Sequence, residues 1–354
     1  MRDYDAAFTS GDTETVTSIV DELLRDGAEP VAVLTDVVAA AQREVGRRWQ
    51  RGEFTVAQEH AATATAISAT RVVANHVRQV PVTRGRVLVA CAEREWHALP
   101  AMMIECALRA HGWDTTLLGA STNPLRLNQY LNDLGPDAVA VSCSVLGSLP
   151  TCRRFIEATT ASGTPILVGG PAFGGDDVRA VALGATAWAR DAHGAIVAMD
   201  GLPAVVAPAA SLPGERTAEQ AALESDHRRL VARLRERWTL VAAATTPDAD
   251  CLNSVIDVAD DVLHQTLHAV QAALLTGDDR VLPETAWWID DLLRSRGAEP
   301  SMMDELVEIL SAAMRDYPVA ASLLATLFVV PAVASGSDGR RMTPEERYPR
   351  GLPR

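Results

Sequence analysis

Between residues 86 and 189 the chain switches five times between a short apolar run and a helix-length amphipathic stretch. The runs are 86–91 (RVLVAC), 115–118, 137–142 (DAVAVS), 165–168 and 186–189, and helical patterns open near His97, Pro124, Ser148, Asp176 and Ala192. Parallel strands need a crossover of a dozen residues or so, which a helix usually supplies. The alternation therefore predicts a doubly wound, five-stranded parallel sheet of Rossmann-like form. In such sheets ligands bind beyond the carboxyl ends of the strands. Loops 92–100, 119–124, 143–149 and 169–175 then share one rim.

The flanks follow a different period. Over residues 1–82, Val16, Ile19, Val20 and Leu23 fall at helical spacing, Asp12 and Thr13 offer N-caps, and Gly27–Pro30 breaks the chain. An N-terminal four-helix bundle is expected there, ahead of the sheet domain at 84–201. Residues 202–217, rich in Pro, Ala and Ser, read as a linker. An all-helical domain follows at 218–334, and the polar tail 335–354 reads as disordered. The fold class is thus multidomain, α and α/β. Two segments echo each other, VDELLRDGAEP from Val20 and IDDLLRSRGAEP from Ile289, as helices ending at Gly-Ala-Glu-Pro.

Composition narrows the chemistry. All 32 basic residues among the 354 are arginine, so lysine Schiff bases, lysine nucleophiles and a Gly-Lys-Ser/Thr phosphate loop are excluded. The net charge is −14, and residues 215–335 hold 10 arginines against 20 acids. No basic segment of useful length exists, so a direct nucleic-acid partner is not expected. The five cysteines form no Cys-x-x-Cys pair, as in a reduced cytoplasmic protein. The N-terminus lacks a signal-peptide pattern, and the apolar stretch 319–334, broken by Pro331, is too short to span a membrane.

Directly after the first strand comes Glu95-Trp96-His97-Ala98-Leu99-Pro100. A histidine on the rim offers a nitrogen donor to cobalt, iron or zinc, and Glu95 could orient its other nitrogen. Ser144-Val145-Leu146 ends the third strand and Gly169-Gly170 the fourth. The set resembles the cobalamin-binding domain family, with its pattern Asp/Glu-x-His-x-x-Gly, Ser-x-Leu and Gly-Gly. That resemblance implies His97 as lower axial ligand of cobalt and Glu95 as its acidic partner. It also implies a cleft for the cofactor's tail lined by Ser144, Leu146, Gly169 and Gly170. Pro100 departs from the pattern, standing where the family has glycine.

A second pattern lies in the bundle: Trp49, then nine residues, then Glu59-His60. It resembles the light-sensing cobalamin proteins of the CarH and LitR type, in which the bundle covers the upper face of adenosylcobalamin. By that resemblance Trp49, Glu59 and His60 contact the upper ligand. Two departures stand out. The bundle starts almost at Met1, without a DNA-binding head. Gln50 also replaces a histidine that ligates cobalt after illumination in some members, which leaves His60, His76 or water for that place.

The acidic helical block holds His227, the pair His264 and His268 four residues apart, Trp287-Trp288, and a run of arginines from Arg228 to Arg237. His264 and His268 form half a metal site, but no partner motif accompanies them, so zinc is not expected. The run of arginines could meet propionates or form a solvated face. The overall layout resembles the photocobilins, light sensors holding cobalamin and biliverdin. That implies biliverdin as a second chromophore beside His264, His268 and Trp288, non-covalently held, with Cys251 as a weaker covalent alternative.

The sequence expectation is accordingly a cytoplasmic, non-enzymatic photoreceptor. Its oligomeric state would change with light, and its downstream protein partner is unknown. The alternatives are a corrinoid shuttle for methyl transfer, whose motif usually carries Gly-Lys where this chain has Pro100 and Ala101, and a cobalamin-binding module without photoactivity.

Overall fold

The computed structural model describes residues 2–329 apart from Pro213 and Pro247, so the tail expected at 335–354 lies outside the described residues. The chain divides into two compact units, one comprising Met1–Ala210 and the other beginning at Ser211.

The first unit opens with helices α1 (Arg2–Ser10), α2 (Thr13–Arg25), α3 (Pro30–Ala32), α4 (Ala39–Gln50) and α5 (Val56–Val77). A π-helical stretch, Val33–Val38, fuses α3 and α4 into one rod, so four helical rods build the bundle. Asp12 caps α2 by accepting from the Thr15 N–H, and Val16, Val20 and Leu24 recur every fourth residue as its buried stripe. Thr55 and Gln58 form a reciprocal capping box at the start of α5. The bundle core, with Phe8, Leu34, Val45, Ala66 and Val73, also takes in Leu99, Met103 and Cys106 from the first helix of the sheet domain.

That domain holds β1 (Arg86–Cys91), β2 (Asp114–Gly119), β3 (Ala138–Ser142), β4 (Ile166–Gly169) and β5 (Ala187–Ala189) in the order β2-β1-β3-β4-β5, all parallel. The crossovers are α6 (Ala98–Ala110), α7 (Pro124–Leu134), α8 (Leu149–Ala161), α9 (Val178–Ala182) and α10 (Ala192–Asp200). One face of the sheet packs against α6 and α10 through Val87, Val89, Ala101, Leu108, Ala195 and Met199. The order reverses between β1 and β3, which makes that gap the switch point where a ligand is expected.

The segment read as a linker is in part tied down. Val206 donates its N–H to the Gly163 carbonyl, Ala209 donates to the Thr160 hydroxyl, and Arg153 donates to the carbonyls of Ala210 and Leu183. Arg153 is buried, and its charge is met by the Glu157 carboxylate at 2.7 Å together with those carbonyls. The next helix already begins at Glu215. The linker expected over 202–217 thus gives way to helix from Glu215, and its bonding back to the sheet domain leaves no mark on composition.

The second unit is all helical: α11 (Glu215–Thr245), α12 (Ala249–Asp257), α13 (Ala259–Thr276), α14 (Val281–Ser295), α15 (Ser301–Ala313) and α16 (Pro318–Leu327). Helix α13 is buried on nearly all sides and packs against α11 and α14. The two echoing segments both end in a left-handed glycine, Gly27 and Gly297. Among the described residues no helix is long and apolar enough to cross a membrane.

Candidate functional site

The loop after β1 is held in an unusual shape. Arg94 has φ 68 and Ser121, in the loop after β2, has φ 46, both in the left-handed region that non-glycine residues rarely adopt. The two loops clasp each other: the Ser121 hydroxyl accepts from the Arg94 N–H at 3.1 Å, and the Ser121 N–H donates to the Glu95 carbonyl at 2.8 Å. From α8 the Thr151 hydroxyl donates to the Glu93 carbonyl at 2.7 Å, and Asn123 reaches the Glu93 carboxylate at 3.2 Å.

Glu95 is the hub of this arrangement. Its side chain is 0% exposed. Oε1 accepts from the His97 N–H at 2.8 Å and pairs with His97 Nδ1 at 2.6 Å. Oε2 accepts from the N–H groups of Ser144 and Val145, across the β1/β3 switch point. Burial alone would push the Glu95 carboxyl up, but the hydrogen bonds and charge of His97, with the Ser144 N–H, outweigh it and hold the carboxyl below its ordinary range. His97 is pushed up, first by the hydrogen bond to Glu95, against its own burial, and further by the charges of Glu95 and Glu59. With Nδ1 committed to Glu95, Nε2 is the ring nitrogen left to face a ligand, on a side chain 63% exposed.

Glu59 lies in the first turn of α5. Glu59 Oε1 accepts from the Thr63 hydroxyl at 2.8 Å, and that hydroxyl accepts from the Gln42 amide of α4 at 2.6 Å. This relay ties both helices to one carboxylate. His60 is exposed, its Nδ1 2.7 Å from the Val56 carbonyl and 3.2 Å from Glu59. Trp49 is half-buried at the end of α4, against the bundle core. His76 lies 16 residues beyond His60 on the same helix, about 24 Å away, so it cannot stand in for His60.

The remaining rim residues divide. Ser144 Oγ is buried without a hydrogen-bond partner, as are the hydroxyls of Ser142 and Ser148. Buried polar atoms are normally paired, so three orphaned hydroxyls around one loop fit a polar ligand group arriving there. Leu146 is 1% exposed and packs into the interior, which makes it a support of the loop. Gly169 and Gly170 answer to the protein's own backbone: a Cβ on Gly169 would meet the Ala189 carbonyl at 2.5 Å, and one on Gly170 (φ +105) the Cys143 carbonyl at 2.5 Å. Pro100 occupies the first turn of α6, where its missing N–H costs nothing.

In the second unit His264 and His268 share one face of α13, and His227 of α11 joins them. Trp288 sits half-buried on α14, which packs on α13. The arginines from Arg228 to Arg237 are all exposed, with Arg229 and Arg235 paired to Asp226 and Asp260, so they form a solvated face.

Sequence reading missed the clasp of Ser121, Asn123 and Thr151, whose partners lie 27 to 58 residues away. It also passed over Thr63, which the four-residue spacing from Glu59 does signal.

Residues 85–198 match the family model of the B12 binding domain, and residues 2–73 match a second model of the same description. The chain is 32% identical over 171 residues to the HTH-type transcriptional repressor CarH of Myxococcus xanthus. That match takes in 47% of this chain and 56% of the relative, so the chain spans about half the length of that relative. Among solved structures, the monomethylamine corrinoid protein of Methanosarcina barkeri is 18% identical, with a TM-score of 0.49 over 56% of this chain and 95% of its own. The methanol:cobalamin methyltransferase complex of the same organism is 17% identical, with a TM-score of 0.31 over 56% of this chain and 77% of its own. The first unit therefore carries a cobalamin-binding domain of CarH-like sequence beneath a helical region of matching type.

Proposed function

We propose that the protein is a light sensor that uses adenosylcobalamin, held between the rim of the sheet and the start of α5. The observation that supports this reading most is the rim geometry: His97 is held through Nδ1 by the buried Glu95, which also takes the Ser144 and Val145 N–H groups across the β1/β3 switch point. In this reading His97 Nε2 would ligate the cobalt of the cofactor, and Trp49, Glu59 and His60 would contact it from the bundle. The Ser144 hydroxyl receives a polar group of the tail, and Gly169 and Gly170 let the cleft wall run flat. Adenosylcobalamin, when bound, supplies a cobalt–carbon bond that light can break.

The protein's part is positional. Glu95 keeps a proton on Nδ1 of His97 and so presents the Nε2 lone pair. Trp49 and Glu59 would bind the cofactor from the bundle side, with contacts that respond to the group it carries. Those contacts belong to the same helices whose core includes Leu99 and Met103 of α6, the helix that His97 caps. A change above the cofactor is thereby passed to the rim, shifting the packing of bundle and sheet and with it the oligomeric state or the binding of a downstream protein. The reading assigns no enzymatic turnover to this chain and places it in the cytoplasm.

The test is reconstitution with adenosylcobalamin in the dark, with spectra and molar mass recorded before and after green light. A spectral change accompanied by a change in mass is expected; neither would end the sensor reading, and turnover with a methyl donor would favour the methyl-transfer shuttle. His97→Ala should abolish binding in the base-off form. We extend the proposal to biliverdin as a second chromophore in the helical unit, near His264, His268 and Trp288. Added biliverdin should then give red absorbance, and silence would remove that extension alone.

A further inference from the structure

The search for chemistry outside the rim leads to α11 and α13. His264 and His268 are one turn apart on α13, and the packing of α11 against that helix delivers His227 to the same spot. The ligand atoms of the three imidazoles all lie within 4.8 Å of one another. His227 Nε2 is 2.8 Å from His264 Nδ1, and the rings of His227 and His268 are stacked with centroids 4.6 Å apart.

Three imidazoles on two packed helices are an uncommon use of histidine in a chain with only eight. We propose that His227, His264 and His268 form a divalent metal site of the three-histidine type, with zinc as the fitting ion and its fourth position open to water or an exogenous ligand. The donor set is that of an open zinc site, since all three side chains are neutral nitrogen donors and none is fully buried.

The distances suit this assignment. Zn–N bonds of about 2.0–2.1 Å place tetrahedral donors about 3.4 Å apart, so ligand atoms that all lie within 4.8 Å need to close by at most about 1.4 Å. The outer partner is also present. Gln271, 4% exposed, sets its amide nitrogen 3.1 Å from His227 Nδ1. Turning that amide over exchanges its nitrogen and oxygen, so that the carbonyl would accept the Nδ1 proton and leave Nε2 as the metal donor. The sequence offered only His264 and His268, half a site. The third ligand comes from 37 residues away and from a different helix.

The site is independent of the cobalamin reading, because none of its residues belongs to the first unit. It competes with the bilin extension for two imidazoles, so zinc should block biliverdin uptake if both readings hold.

The experiment titrates the full-length chain with zinc against a chromogenic chelator, with one equivalent expected per chain, and repeats the titration with cobalt(II), where tetrahedral coordination gives an intense visible band. His264→Ala and His227→Ala should each weaken zinc binding at least 100-fold, whereas His111→Ala and His193→Ala should not change it. Circular dichroism and cobalamin binding check that the variants remain folded. Zinc uptake that is equal in the wild type and the triple variant His227→Ala/His264→Ala/His268→Ala would overturn the proposal, as would a cobalt(II) spectrum of purely octahedral type. A wild-type chain that takes up no zinc would do the same while leaving the light response untouched.

Discussion

Glu95 satisfies four donors with two oxygens, and that arithmetic makes it hard to replace. Glutamine has the same shape but only one acceptor oxygen, so its NH2 group would confront either His97 or the backbone N–H groups of Ser144 and Val145. Glu95→Gln should therefore weaken cobalamin binding about 10–100-fold, read by spectral titration. An unchanged titration would mean that His97 does not depend on Glu95 for its orientation. The Glu95–His97 pair was legible in the sequence because the two residues are neighbours at the end of a strand. The loop shape that aims them was not: Arg94 and Ser121 carry no local sign of their left-handed backbone, since the hydrogen bonds that sustain it come from other loops. His227 was visible as a histidine, yet its meeting with His264 depends on which face of α11 is turned inward.

Helix boundaries followed the sequence where side chains end helices and failed where backbone geometry does. Asp12 caps α2, and its hydrogen bonds to the Thr15 hydroxyl and N–H hold its carboxyl below the ordinary carboxylate range. A carboxyl lowered in the folded state adds stability that is present above its unfolded pKa and is lost as pH falls through its folded value. Asp12→Asn keeps an acceptor for the cap without that titration. Thermal unfolding followed from neutral to acid pH should therefore show the two proteins converging as pH drops; a constant gap would place the acid sensitivity elsewhere. The π-helical stretch Val33–Val38 gave no signal, because VLTDVV reads as an ordinary apolar helix segment. It turns α4 out of phase with a straight continuation of α3, which sets the direction from which Gln42 reaches Thr63.

Two units with separate cores should unfold in two steps. Cobalamin should raise only the transition of the first unit, by about 2.7 kcal/mol at a ligand concentration 100 times its Kd. Zinc should raise only the other, and a single transition moved by both ligands would contradict this division. The change of period at residue 86 falls within the first unit, between bundle and sheet, and the return to helices late in the chain marks the second. The sequence misjudged the passage between the two units, where Val206, Ala209 and Ala210 are bonded back onto α8 and its following turn. That strap governs how the molecule can be cut. No arginine or lysine lies between Arg190 and Arg216, so trypsin finds no bond there at all. A protease that cleaves after small residues does find sites, of which Ala209 and Ala210 are tethered by hydrogen bonds while Ala204 is exposed. Limited digestion with elastase should cut within residues 202–212 at the untethered alanine before it cuts at Ala209 or Ala210, while the same time course with trypsin should leave that stretch intact.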